Sequence, residues 1–286
     1  MFDGEQLKIT FDNFCGIEPV TISCVYVAES ADSGREVVEE SNTPVTFDNG
    51  SRSVTIPAGE AVVSDAVRFS VRRGNDISVS LYLGEFTQMR SAVLITEPLS
   101  KGYYAVGDYA QSGRLPLDLT RNTNWFYFLS NVEIGTEGTN RAVICYGDSI
   151  TSQAWPDYLT LRLFQEQIEH TAIVRRAASG TRILRQYIHQ AKEYGLGVYM
   201  GTLLPIYGWR TYEPFWDELR CAVNEWIRQT PEIEGCIDFD KALCDSANPA
   251  AFAQGYDSGD HLHPSEKAYE RMAAEVPDIL LEYKEK

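Results

Sequence analysis

Near residue 135 the chain changes its hydrophobic period, and that switch limits the folds open to it more than any single motif does. Upstream, short runs rich in Val, Ile, Thr, Tyr and Phe alternate with turn residues. They cover Leu7 to Phe11, Val20 to Val27, Ser53 to Ile56, Val67 to Val71 and Ile77 to Leu83. Turn signals at Asp48-Asn49-Gly50, Pro57-Ala58-Gly59 and Arg73-Gly74-Asn75-Asp76 separate the runs. Short strands at such spacing predict an antiparallel sandwich or jelly roll. Trp125 to Leu129 reads as its last strand, and Ile134 to Asn140 as a linker.

Downstream, strands alternate with helices. Strands are expected at Arg141 to Tyr146, Ala172 to Arg176, Gly197 to Leu204 and Cys236 to Phe239. Helices are expected near Pro156 to Gln167, Ile183 to Tyr194, Pro214 to Gln229 and Ser265 to Glu282. Pro156, Pro214 and Pro264 each suit a first helical turn, where a missing N–H costs nothing. This alternation predicts a mostly parallel sheet with helices on both faces. The expected architecture is therefore a jelly-roll-like β domain over residues 1–135 and a three-layer, flavodoxin-like α/β domain over 141–286.

Charge narrows the partners. The 286 residues carry a formal net charge of −16, which repels nucleic acid. No apolar run is long enough to span a bilayer. The first residues, Met1-Phe2-Asp3-Gly4-Glu5, lack a basic stretch and an apolar stretch, so no signal peptide is read and a cytoplasmic protein is expected. The chain opens inside a β-rich region, which keeps a truncated N-terminus open as an alternative. Cys15, Cys24, Cys145, Cys221, Cys236 and Cys244 form no CxxC pair, so no metal is expected. No cofactor is expected either, because no phosphate-cradling loop is present.

Two constellations carry chemistry. The apolar run Ala142 to Tyr146 ends in Gly147-Asp148-Ser149, with a helical pattern soon after. That places Ser149 at the C-terminal edge of a strand, where open α/β sheets hold their sites. A turn serine capping a helix gives the same local pattern. Thr151 stands where the G-x-S-x-G elbow has its second glycine. Far downstream, Asp260-His261-Leu262-His263-Pro264 offers an acid and a base three residues apart. His263 enters the last helix, and Asp260 is placed to hold its Nδ1–H. A capping loop rich in Asp and His accounts for the same residues. His170 and His189 read as solvated. Tyr207 to Tyr212 follow a strand end, where Trp209 and Tyr212 suit stacking on a sugar ring and Arg210 suits a polar group. Packing that anchors the loop accounts for the two aromatics slightly better.

Together, Gly147-Asp148-Ser149-Ile150 and Asp260-x-x-His263-Pro264 resemble the SGNH (GDSL-type) hydrolases, a family of esterases and lipases. Ala177-Ala178-Ser179-Gly180 looks like the family's second block. Gly201 to Pro205 resembles the strand after its third block, and Tyr256 to Ser265 resembles its last. The N-terminal β region, Asn224 to Arg228 and Ile237 to Phe239 are similar to a branch associated with plant-polysaccharide breakdown. The resemblance implies a serine ester hydrolase acting on a small-molecule or oligosaccharide ester. Ser149 would be nucleophile, His263 base and Asp260 its orienter. The N–H groups of Ser149 and Gly180 would form the oxyanion hole, and removal of acyl or acetyl groups from a carbohydrate is expected. One block has no counterpart: Gly-x-Asn-Asp occurs nowhere, and neither Asn224 nor Asn248 sits where its asparagine would. A deletion, a further disordered segment outside this sequence and a degenerate homologue all fit the gap. A catalytically impaired carbohydrate-binding or scaffold protein is the alternative, and acyl transfer to another alcohol would use the same residues.

Overall fold

A computed structural model describes residues 2–31, 34–177 and 185–282. Contacts divide the chain into two compact units, Met1–Thr139 and Asn140–Lys286.

In the first unit every described strand pair is antiparallel. The strand Gly4–Asp12 pairs with Leu129–Gly135, Ala61–Val63 and Val67–Val71. Cys24–Glu29 runs between Thr43–Val45 and Ile77–Tyr82. Alternation decides which side chains are buried. Leu7, Ile9 and Phe11 point inward with Val67, Phe69 and Val71, and they meet Val25, Val27, Val45 and Ile56 in one core. Each fully buried side chain of this kind contributes about 1.5–3 kcal/mol.

Two expectations are corrected here. Trp125 to Leu129 is not one strand, because Phe128, buried at a φ of 62°, separates Trp125–Tyr127 from Leu129–Gly135. Nor do Ile134 and Gly135 belong to a linker: they pair with Leu7 and Gln6.

In the second unit β1 (Arg141–Gly147) leads through α1 (Trp155–Gln165) to β2 (Thr171–Ala177). Then follow α2 (Arg185–Glu193), β3 (Tyr199–Gly201), α3 (Pro214–Gln229), β4 (Gly235–Ile237), α4 (Phe239–Leu243), α5 (Glu266–Ala274) and α6 (Asp278–Leu281). Trp155, Leu159 and Leu163 recur every four residues and so share one face of α1. That face is buried in the core that also holds Tyr269, Met272 and Ala273 of α5.

Parallel pairing is present, but among the described residues it does not form the expected single sheet. Among the described residues, β1 pairs with β2 and β3 pairs with β4, as two separate parallel pairs. Cys145 of β1 and Ile237 of β4 still enter one core. On β1 the alternate residues Ile144 and Tyr146 remain 53% and 47% exposed.

The expected strand at 197–204 shrinks to Tyr199–Gly201 because other groups bond the next backbone atoms. The Asn224 amide accepts from Leu203 N–H and donates to Leu203 C=O. Phe239 begins a short helix rather than ending a strand, with the Asp238 carboxylate accepting the Lys241 N–H at its N-terminus. The helix expected over 265–282 is interrupted at Pro277, which cannot continue it. Pro264 lies before the helix, where Ser265 caps α5 by accepting the Ala268 N–H.

Candidate active site

The turn after β1 begins at a glycine for a steric reason. A Cβ on Gly147 would lie 2.3 Å from Thr151 Oγ1 and 2.7 Å from its Cβ. Asp148 Oδ1 accepts the Ile150 N–H at 3.0 Å, and Ser152 donates its hydroxyl to Ser149 C=O at 2.9 Å. Arg175 of β2 donates to Gln153 C=O at 3.1 Å and faces Asp157 of α1 at 3.5 Å. Tyr269 of α5 donates its hydroxyl to Gln153 Oε1 at 2.7 Å. Burial, then the nearby charge of Asp260, pushes the Tyr269 phenol up, so it stays a donor. Four residues before Ser149, burial pushes the Cys145 thiol up to about 12.

The structure brings Ser149, His263 and Asp260 together. His263 Nε2 lies 3.3 Å from Ser149 Oγ, and His263 Nδ1 lies 2.6 Å from Asp260 Oδ2. The other carboxylate oxygen of Asp260 accepts the N–H groups of His263 and Leu262 at 2.8 and 2.9 Å, and the Ser258 hydroxyl at 3.1 Å. Partial burial alone would raise the Asp260 carboxyl. The hydrogen bonds from His263, Leu262 and Ser258 outweigh it and hold the group well below the usual carboxylate range. An ionised Asp260 favours an imidazole proton on Nδ1, the tautomer in which Nε2 faces the serine as an acceptor.

The remaining candidates are placed less closely. Gly180 lies outside the described residues. No described residue accepts the Ser149 N–H in a hydrogen bond. Trp209 and Tyr212 are half-buried and Arg210 is exposed, all on the loop after β3. Tyr212 sets its ring edge-on against Tyr207, with centroids 5.2 Å apart. Asn224 is fully buried and committed to Leu203, so it is no oxyanion donor.

Sequence reasoning gave no role to four residues placed around the site. Arg175, Gln153 and Tyr269 are distant in the chain and carry no local signal. His261 did carry one: Asp257 stands four residues before it, and its Nδ1 lies 2.5 Å from Asp257 Oδ2. Among the described residues no group of three or more His, Cys, Asp and Glu side chains is arranged to hold a metal ion.

Residues 176–276 match the protein family described as GDSL-like Lipase/Acylhydrolase. The match supports the resemblance read from the motifs, and with it a hydrolase. It includes Asp260 and His263 and begins downstream of Ser149. No curated protein matches the chain.

Proposed function

We propose that the chain hydrolyses carboxylic esters through Ser149, His263 and Asp260, and that its substrates are acyl or acetyl esters of carbohydrates. The observation that carries this reading is the position of His263, within reach of Ser149 Oγ on one ring nitrogen and of Asp260 on the other. A serine is a weak nucleophile until an adjacent base takes its proton.

In the reaction, Ser149 Oγ attacks the ester carbonyl carbon while His263 Nε2 accepts the hydroxyl proton. The carbonyl electron pair moves onto oxygen, and the Ser149 N–H, with that of Gly180 as the family resemblance implies, is the donor for that charge. The intermediate collapses, the C–O bond to the alcohol breaks, and His263 returns the proton to the departing oxygen. Water, deprotonated by the same imidazole, then attacks the acyl carbon; the bond to Ser149 Oγ breaks, and His263 returns the proton to that oxygen. Asp260 remains ionised throughout and stabilises the imidazolium.

The test is turnover of p-nitrophenyl acetate by the protein and by Ser149→Ala. Turnover that disappears with the hydroxyl supports the proposal. Equal rates from two folded proteins refute it and leave the binding or scaffold reading standing. A fluorophosphonate that labels Ser149, but not in His263→Ala, supports the same mechanism.

A further inference from the structure

His261 has no part in that mechanism, yet it is fixed with unusual care. Its φ is 60°, a left-handed conformation that a non-glycine residue holds only where its surroundings impose it. Asp257 imposes it twice: Oδ1 accepts the His261 N–H at 3.0 Å, and Oδ2 faces the ring Nδ1 at 2.5 Å. Asp257 Oδ1 also accepts the Gly259 N–H, so the same carboxylate ties down the turn. From the other side the loop after β3 closes on the ring. A Cβ on Gly208 would lie 3.0 Å from His261 Cγ, and the φ of 93° at Gly208 also suits glycine alone. The side chain is nevertheless 51% exposed. Nδ1 faces Asp257, which leaves Nε2 as the ring nitrogen for a further partner.

Tyr207 precedes Gly208 and is 51% exposed. Its backbone N–H is bound to Ala250 C=O at 2.8 Å, and its ring is braced by Tyr212. A half-exposed aromatic ring and a half-exposed imidazole therefore adjoin Gly208, and His261 stands two positions before His263 in the chain. An anion there would meet the carboxylates of Asp257 and Asp260. A neutral polyhydroxylated ring would not be repelled: its C–H face packs on an aromatic, and its hydroxyls donate to or accept from an imidazole nitrogen.

We infer that His261 and Tyr207 form a subsite for the alcohol half of the ester, and that this subsite selects a sugar over an aryl leaving group. The inference rests on the esterase reading above.

Two acetates with different alcohols test it: p-nitrophenyl acetate and a monoacetylated methyl glycoside whose other hydroxyls are free. The informative quantity is the ratio of their kcat/KM values, glycoside over aryl ester, for the wild type, His261→Asn and Tyr207→Ala. Asparagine tolerates the left-handed backbone, so the loop persists in the first variant. One lost hydrogen bond, at about 1 kcal/mol, lowers that ratio roughly five- to tenfold. Most of the loss is expected in KM for the glycoside. A parallel fall on both esters would reduce His261 to a brace for the loop and overturn the inference. So would an unchanged ratio, or a wild type that cleaves only the aryl ester. Failure of the esterase reading itself is seen separately, as aryl acetate turnover that survives Ser149→Ala.

Discussion

The loop that carries His263 is closed by bonds among its own residues, whereas the turn that carries Ser149 leans on side chains from distant parts of the chain. Within 257–263, Asp257 and Asp260 accept the N–H groups of Gly259, His261, Leu262 and His263, and Ser258 N–H returns to His263 C=O. The Ser149 turn has the Asp148 and Ser152 bonds of its own, but Arg175 and Tyr269 fix its far end at Gln153. The base is thus set by a stretch of seven residues, and the nucleophile by the packing of the unit. Local bonds survive distant substitutions, while a turn held from behind transmits them.

The largest effects should fall on the residues shared by both halves. Ser149→Ala and His263→Ala are each expected to lower kcat by roughly 10⁶, and the double variant by little more, because the two act as one device. Steady-state rates on an aryl acetate check this, and additive losses would separate the halves. Asp260→Asn should cost about 10⁴ in kcat, through the wrong imidazole tautomer.

Asp260→Asn also has a signature in pH. Because the folded-state pKa of Asp260 is depressed, its contribution to stability is present above the unfolded value of about 3.9 and is lost as pH falls below it. The variant's Tm should therefore depend less steeply on pH in that acid range, as thermal unfolding at several pH values would show.

Smaller effects test the support of the turn. Arg175→Ala removes the cation beside Asp157 and the bond to Gln153, and should cost about 1.5–3 kcal/mol in urea unfolding. Its kcat should fall with its stability if the turn transmits distant changes. A loss of stability with kcat intact would show that the turn is self-sufficient. Tyr269→Phe removes only the bond to Gln153, an expected loss of about 1 kcal/mol. It should lower kcat a few-fold at constant KM.

The same contrast explains what could be read from the sequence. Gly147-Asp148-Ser149 and Asp260-x-x-His263 were legible because their bonds lie within a few residues, where spacing alone limits geometry. The strands of the first unit were legible where period-2 alternation buries one face, as at Leu7, Ile9 and Phe11. Phe128 was not, since nothing in the local pattern signals a left-handed aromatic. Neither was the arrest of β3 at Gly201, which depends on Asn224 more than twenty positions away. The division of the second unit into two parallel pairs is likewise a matter of which strands meet, and local periodicity carries no such information. His261 lay within the motif that was read, but its partner across the loop is Gly208, which no spacing rule reaches.

Cys145 sits on the strand that ends in the candidate nucleophile, and its buried thiol has a consequence for damage and labelling. The thiolate is the species that alkylating reagents and peroxides attack, and a pKa of about 12 leaves almost none of it at neutral pH. Cys15 and Cys221 are exposed and present the accessible sulfur. Burial pushes the Cys221 thiol up as well, so oxidants and maleimides should act first at Cys15, and a protein modified there should retain an unaltered strand beneath Ser149.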